Sequence, residues 1–76
     1  MEIKYSKAAV KFLKRQNKNT QQRIISAIEK LPRGDVVKLQ GVDGFRLCVG
    51  NYRVLFDIHG SIIDIIDIGN RGQIYR

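Results

Sequence analysis

The chain makes its main change of hydrophobic period at Pro32. From Ser6 to that residue apolar side chains recur at helical spacing; after it they alternate, as they do in the short run 2–5. Residues 2–5 set Ile3 and Tyr5 on one side of a short extended run and predict a strand. Ser6 stands at the N-cap of a helix predicted to reach about residue 17, with Ala9, Phe12 and Leu13 as its apolar stripe and Val10 beside it. Asn17, Lys18 and Asn19 interrupt that pattern. Thr20 or Asn19 then caps a second helix, in which Ile24, Ala27, Ile28 and Leu31 fall at i, i+3, i+4 and i+7. Pro32 and Gly34 stop it. Residues 6–31 therefore predict a helical hairpin with an apolar seam.

Beyond Pro32 the strands follow one another. Gly44 opens a strand over 45–49, Gly50-Asn51 makes a two-residue hairpin turn, and 52–58 is the return strand. His59-Gly60 is a second turn. The Ile-rich stretch 61–68 reads as a central strand buried on both faces, ended by Gly69-Asn70, with 73–76 as a short last strand. Helices followed by hairpin-connected strands predict an α+β domain over residues 1–76: an N-terminal strand and a helical hairpin packed on an antiparallel sheet of about four strands.

The turn at Gly50-Asn51 also fixes the register. Phe45 faces Phe56, Leu47 faces Val54 and Val49 faces Tyr52, which gives the core face. The opposite face carries Arg46, Cys48, Arg53, Leu55 and Asp57, with Cys48 opposite Arg53 and Arg46 about 7 Å along the same strand. Two arginines on the open face of a sheet whose other face is core make a candidate anion site.

Charge sharpens this division. The 76 residues carry a net charge of +7. Residues 7–33 hold Lys7, Lys11, Lys14, Arg15, Lys18, Arg23, Lys30 and Arg33 against Glu29 alone, while the rest of the chain balances six cations with six acids. The whole net charge lies in the helical hairpin and the turn after it, as expected of a footprint for RNA or for an acidic protein. A single cysteine excludes a disulfide scaffold, and a single histidine argues against a structural zinc site. No apolar run exceeds three residues, too short for a membrane span, and the start of the chain lacks the apolar stretch of an export signal; a cytoplasmic location is expected.

Several chemistries are missing. Cys48 and His59 are separated by about 20 Å of sheet, too far for a nucleophilic pair. There is no phosphate loop of the Walker type. Asp64 and Asp67 have opposite parity on one strand, so a regular strand points them to opposite faces, and Asp57, Asp64 and Asp67 read as salt-bridge or solvated strand-end residues rather than metal ligands. Catalysis would have to rest on Arg, Tyr and Lys, without metal or cofactor.

The run Lys38-Leu39-Gln40-Gly41, then Phe45-Arg46-Leu47, Gly50-Asn51-Tyr52-Arg53-Val54-Leu55-Phe56, Ile68-Gly69-Asn70-Arg71 and Tyr75, resembles the RelE/ParE superfamily of bacterial toxins, the toxin halves of type II toxin–antitoxin pairs. The resemblance covers essentially the whole chain and implies a RelE-like fold. RelE-type members cut mRNA in the ribosomal A site through attack of a ribose 2′-hydroxyl on the adjacent phosphate. By that resemblance Arg53 clamps the phosphate, Arg71 stabilises the transition state, Tyr75 orients the nucleotide or takes the 2′-hydroxyl proton, and Arg46 supplies positive charge. Lys7, Lys11, Lys14, Arg15, Lys18, Arg23, Lys30 and Lys38 would meet ribosomal RNA. Cys48 stands where the family has a second strand lysine, and Asn70 where many relatives carry histidine. The implied partners are the ribosome with its mRNA and a cognate antitoxin, whose acidic segment folds on the toxin to give a hetero-oligomer. Two other readings stay open: a ParE-like gyrase poison without nuclease chemistry, and a catalytically weakened homologue that only binds its antitoxin.

Overall fold

The computed structural model describes residues 2–41 and 43–70. Its elements in chain order are β1 (Glu2–Tyr5), α1 (Lys7–Lys14), α2 (Lys18–Glu29), β2 (Val36–Lys38), β3 (Phe45–Val49), β4 (Tyr52–His59) and β5 (Ile62–Asn70). The strands form one sheet in the order β1-β5-β4-β3-β2. Both helices lie on one face. There Ala9, Leu13, Ile24, Ile28 and Leu31 close over Leu47, Val54, Phe56, Ile63, Ile65 and Ile68. Phe45 stacks on Phe56 at 5.4 Å between ring centroids, and Phe12 meets Tyr52 edge-on at 6.0 Å.

The β3–β4 register is the expected one, residue by residue: Phe45 with Phe56, Leu47 with Val54, Cys48 with Arg53 and Val49 with Tyr52. The sheet around it differs from the expectation in two ways. It has five strands among the described residues, because Val36–Lys38 adds a short edge strand on β3. It is also mixed, because β1 pairs with β5 in parallel. Three residues are too few to show a period of two, and a parallel partner across almost the whole chain leaves no local signal.

Two helix boundaries also differ. α1 stops at Lys14, with Arg15 as its C-cap, rather than running to residue 17. The N-cap of α2 is Asn17, not Asn19 or Thr20: its side-chain oxygen accepts from the Thr20 N–H at 2.8 Å. Gln21 reaches back from α2 and donates to the Leu13 and Gln16 carbonyls at 2.8 and 2.9 Å. These bonds satisfy carbonyls at the end of α1 and turn the chain at once into the second helix.

β5 departs most from its expected form. It runs on through Gly69 and Asn70, and the turn before it is at Gly60-Ser61, so that His59 belongs to β4 and pairs with Ile62. It is buried on one face only, and Ile66 is 48% exposed. Leu55 pairs with Asp67 but Phe56 pairs with Ile65, so Ile66 is the extra residue of a β-bulge. The bulge resets the parity: Asp64 opposite Asp57 and Asp67 opposite Leu55 share the open face, against the expectation that they point apart. The bulge also anchors α1. Ser6 donates its backbone N–H to the Ile65 carbonyl at 2.9 Å and its hydroxyl to the Ile66 carbonyl at 2.6 Å, while its Oγ accepts from Ala9 N–H at 3.0 Å.

Candidate functional site

Strand alternation and the bulge decide what the open face displays. Rows across the sheet read Val37-Arg46-Leu55-Asp67, then Cys48-Arg53-Gly69, and, toward the other end, Asp57-Asp64-Lys4. Arg46 and Arg53 are diagonal neighbours on adjacent strands, about 7–8 Å apart at the backbone, within joint reach of one phosphate-sized anion. Both are half-buried, so their stems lie along the sheet. Arg53 Nε is buried and has no hydrogen-bond partner among the described residues. A buried donor left unmatched costs about 1–3 kcal/mol, which an incoming acceptor would recover. Cys48 is a half-buried free thiol beside Arg53.

The other end of the face is acidic and self-paired. His59 Nε2 lies 3.2 Å from Asp57 Oδ2 and 3.7 Å from Asp64 Oδ2, bridging two carboxylates that face each other across β4 and β5. Asp67 accepts the Ile68 backbone N–H at 2.8 Å. Asp57 and Asp64 thus contact His59, and Asp67 caps the backbone.

Arg71 and Tyr75 lie outside the described residues. β5 delivers the chain toward them from Gly69, opposite Arg53, and Asn70, opposite Tyr52. A groove of about 430 Å³ runs along that end of β5, between Asp67–Asn70 and Phe12, Arg15 and Gln16 of the first helix and its C-cap. Arg15, grouped by sequence with the docking cations, thus sits beside the strand end that leads to the remaining site residues.

The other basic residues do not form one surface. Lys7, Lys11 and Lys14 line one side of α1 around Val10 and Tyr5. Arg23 and Lys30 line a separate groove of about 850 Å³ between α2 and β3, joined there by Arg33, a cation outside the expected docking set. Its signal was its charge alone, since it stands in the turn after Pro32 and belongs to no periodic stripe. Lys18 opens α2 and Lys38 ends the edge strand β2. All eight docking cations are exposed, and none of them makes an ion pair with a described residue.

Tyr5 points toward the helices rather than the open face. Burial raises its phenol above the usual range, and the negative charge of Glu29 adds to the shift.

The chain matches the family model of the ParE toxin of the type II toxin–antitoxin system parDE over residues 3–75. In three dimensions it is similar to a chain of the archaeal RelE–RelB complex from Pyrococcus horikoshii OT3, at 30% identity and TM-score 0.80, over 95% of this chain and 96% of that one. It is similar to a chain of the RelB–RelE antitoxin–toxin complex from Methanococcus jannaschii at 26% identity and TM-score 0.78, over 93% of each. With the isolated E. coli RelE toxin it shares the fold, at 14% identity and TM-score 0.69, over 95% of this chain and 85% of that one. No curated protein sequence matches it. No helix among the described residues is long and apolar enough to cross a membrane. A family model that takes in nearly the whole chain, and a likeness in structure of the same extent, lead to one assignment: the chain belongs to the RelE/ParE superfamily and is the toxin of a type II toxin–antitoxin system.

Proposed function

We propose that this toxin is a metal-independent endoribonuclease that cuts mRNA on the ribosome and so stops translation. The observation that carries the reading is the Arg46–Arg53 pair on the open face, with a buried Nε of Arg53 that lacks a partner among the described residues. In the proposed reaction the 2′-oxygen bonds to the adjacent phosphorus while the bond from phosphorus to the 5′-oxygen breaks. The products are a 2′,3′-cyclic phosphate and a 5′-hydroxyl. The guanidinium of Arg53 holds the phosphate through two parallel N–H bonds, and Arg46 adds charge as the phosphorane forms. Tyr75 is assigned to the 2′-hydroxyl proton and Arg71 to the transition state, by the family motif they match. An arginine holds its proton too firmly to act as a base, so the tyrosine relays the proton: its phenol oxygen accepts from the 2′-hydroxyl while its own proton passes to the departing 5′-oxygen, which leaves as the 5′-hydroxyl.

The exposed cations of α1 and α2 support docking on ribosomal phosphates, and the related toxin–antitoxin complexes support an antitoxin partner that covers the toxin. Primer extension of mRNA on translating ribosomes tests the reading. The native protein should cut within the A-site codon, and Arg53→Ala should cut at least about a hundredfold more slowly. Intact mRNA at every codon with native protein would sink it.

A second reading has its own support. Cys48 and Asn70 replace a lysine and a histidine of the nuclease set, and the matching family model is that of ParE. A gyrase poison would stay toxic in the Arg53→Ala/Tyr75→Phe double variant and would induce DNA damage. Blocked translation without DNA damage excludes it.

A further inference from the structure

The groove between α2 and β3 has no part in the cleavage step above, although two of its cations, Arg23 and Lys30, belong to the proposed docking set, and its construction is specific. β2 covers the outer edge of β3 only as far as Leu47, with one more bond from Cys48 N–H to the Asp35 carbonyl at 3.0 Å. From there to the hairpin tip the edge of β3 is open to the groove. On the facing side α2 presents Asn19, Arg23, Ser26 and Lys30, roughly one polar side chain for each turn of about 5.4 Å, and Arg33 closes the far end. Arg23 sits at the tip itself: a methyl group on Gly50 would come within 3.0 Å of its Nη2. The three cations are exposed and make no ion pair with any described residue.

Cys48 connects this groove to the arginine face. Its residue lines the groove, while its place in the strand alternation puts it on the open face opposite Arg53. A polyanion that leaves Arg53 over the hairpin tip therefore meets Arg23 first, then Lys30 and Arg33. We propose that this groove is a second binding site for single-stranded RNA, holding the phosphodiester chain that flanks the phosphate at Arg53. The proposal rests on the RNA reading above for the class of polyanion. The path across the tip favours RNA over an acidic peptide, because one continuous chain then occupies both arginine sites.

Fluorescence anisotropy with labelled oligo-uridine of four and of twelve nucleotides tests it in the free protein. Native protein should bind the twelve-mer about tenfold more tightly than the four-mer. The exposed-surface variant Arg23→Gln/Lys30→Gln/Arg33→Gln should lose that length advantage, keep its four-mer affinity, and lower the salt dependence of twelve-mer binding by about two log–log units, near 0.7 for each lost phosphate contact. A length advantage unchanged in the triple variant would overturn the proposal. So would a polyglutamate of equal charge that displaces the twelve-mer at the same concentration as unlabelled RNA, since that result assigns the groove to an acidic protein. The outcome is separable from that of the nuclease reading: a length advantage that depends on the groove, in a protein that leaves mRNA intact, supports this site while removing the chemistry.

Discussion

The helical hairpin and the open sheet face use the same side chains in opposite ways. The hairpin and the turn after it carry the whole net charge, on exposed cations without ion pairs among the described residues. The sheet face sums to nearly nothing, yet its two arginines are half-buried, and Arg53 holds a buried donor that no described residue satisfies. Exposed charge in water costs little to keep and is screened over about 10 Å at moderate salt, so it serves long-range attraction. A half-buried guanidinium is costly and short-ranged, and suits a group that must grip one anion in one geometry. Under the proposed function, net charge marks where this protein would dock and burial of charge marks where it would act.

The largest test breaks both regions at once. Phe56 is fully buried beneath the helices and stacked on Phe45, so Phe56→Ala should cost about 3–5 kcal/mol, enough to unfold much of a small domain; thermal melts followed by circular dichroism report it. A second test separates the regions. Arg53→Met removes the unmatched donor and keeps an apolar stem, so stability should stay level or rise by about 1 kcal/mol in urea titration while cleavage is lost. Lys11→Met on the hairpin should leave both stability and the catalytic step unchanged and weaken only salt-dependent association. A loss of stability in Arg53→Met comparable with that in Phe56→Ala would erase the distinction between a binding residue and a structural one.

Smaller effects test the joint between the regions. Ser6→Ala removes the cap of α1 and its bond to the bulge and should cost about 1 kcal/mol, read from the urea midpoint. The smallest effect is alkaline. The folded protein holds the Tyr5 phenol above its unfolded value of 10.0, so the unfolded chain ionises first. The stability tied to neutral Tyr5 is fully present below pH 10 and is lost as pH rises through the folded-state value. Tyr5→Phe should flatten that alkaline decline in a series of melts.

The hairpin and the β3–β4 register were legible because each signal is local: apolar spacing on one helix, or a two-residue turn that fixes every pair beyond it. The arginine pair followed from that register. The parallel β1–β5 pair was not legible, because its partners are far apart in sequence, and neither was β2, because three residues show no alternation. The bulge at Ile66 carries no glycine or proline to mark it, and it misplaced Asp67. Asn17 was hidden for a different reason: α1 ends early because Gln21 completes it from the next helix, so the cap depends on a contact that only the folded hairpin supplies. The groove of Arg23, Lys30 and Arg33 combines a helix face, a turn and a strand edge, and no linear motif joins them.

The bond from Ser6 to Ile66 spans 60 residues, and the whole of β1 finds its partner across the same interval. Time therefore enters the design. As the chain is made in order, β1 and the sheet bonds of Ser6 wait for β5 to emerge, while the cap that Ser6 makes with Ala9 is local. The β3–β4 hairpin, whose contacts are local, can form well before then. The far edge of the sheet therefore closes only after β5 has emerged, whereas the β3–β4 hairpin can be in place before β1 docks.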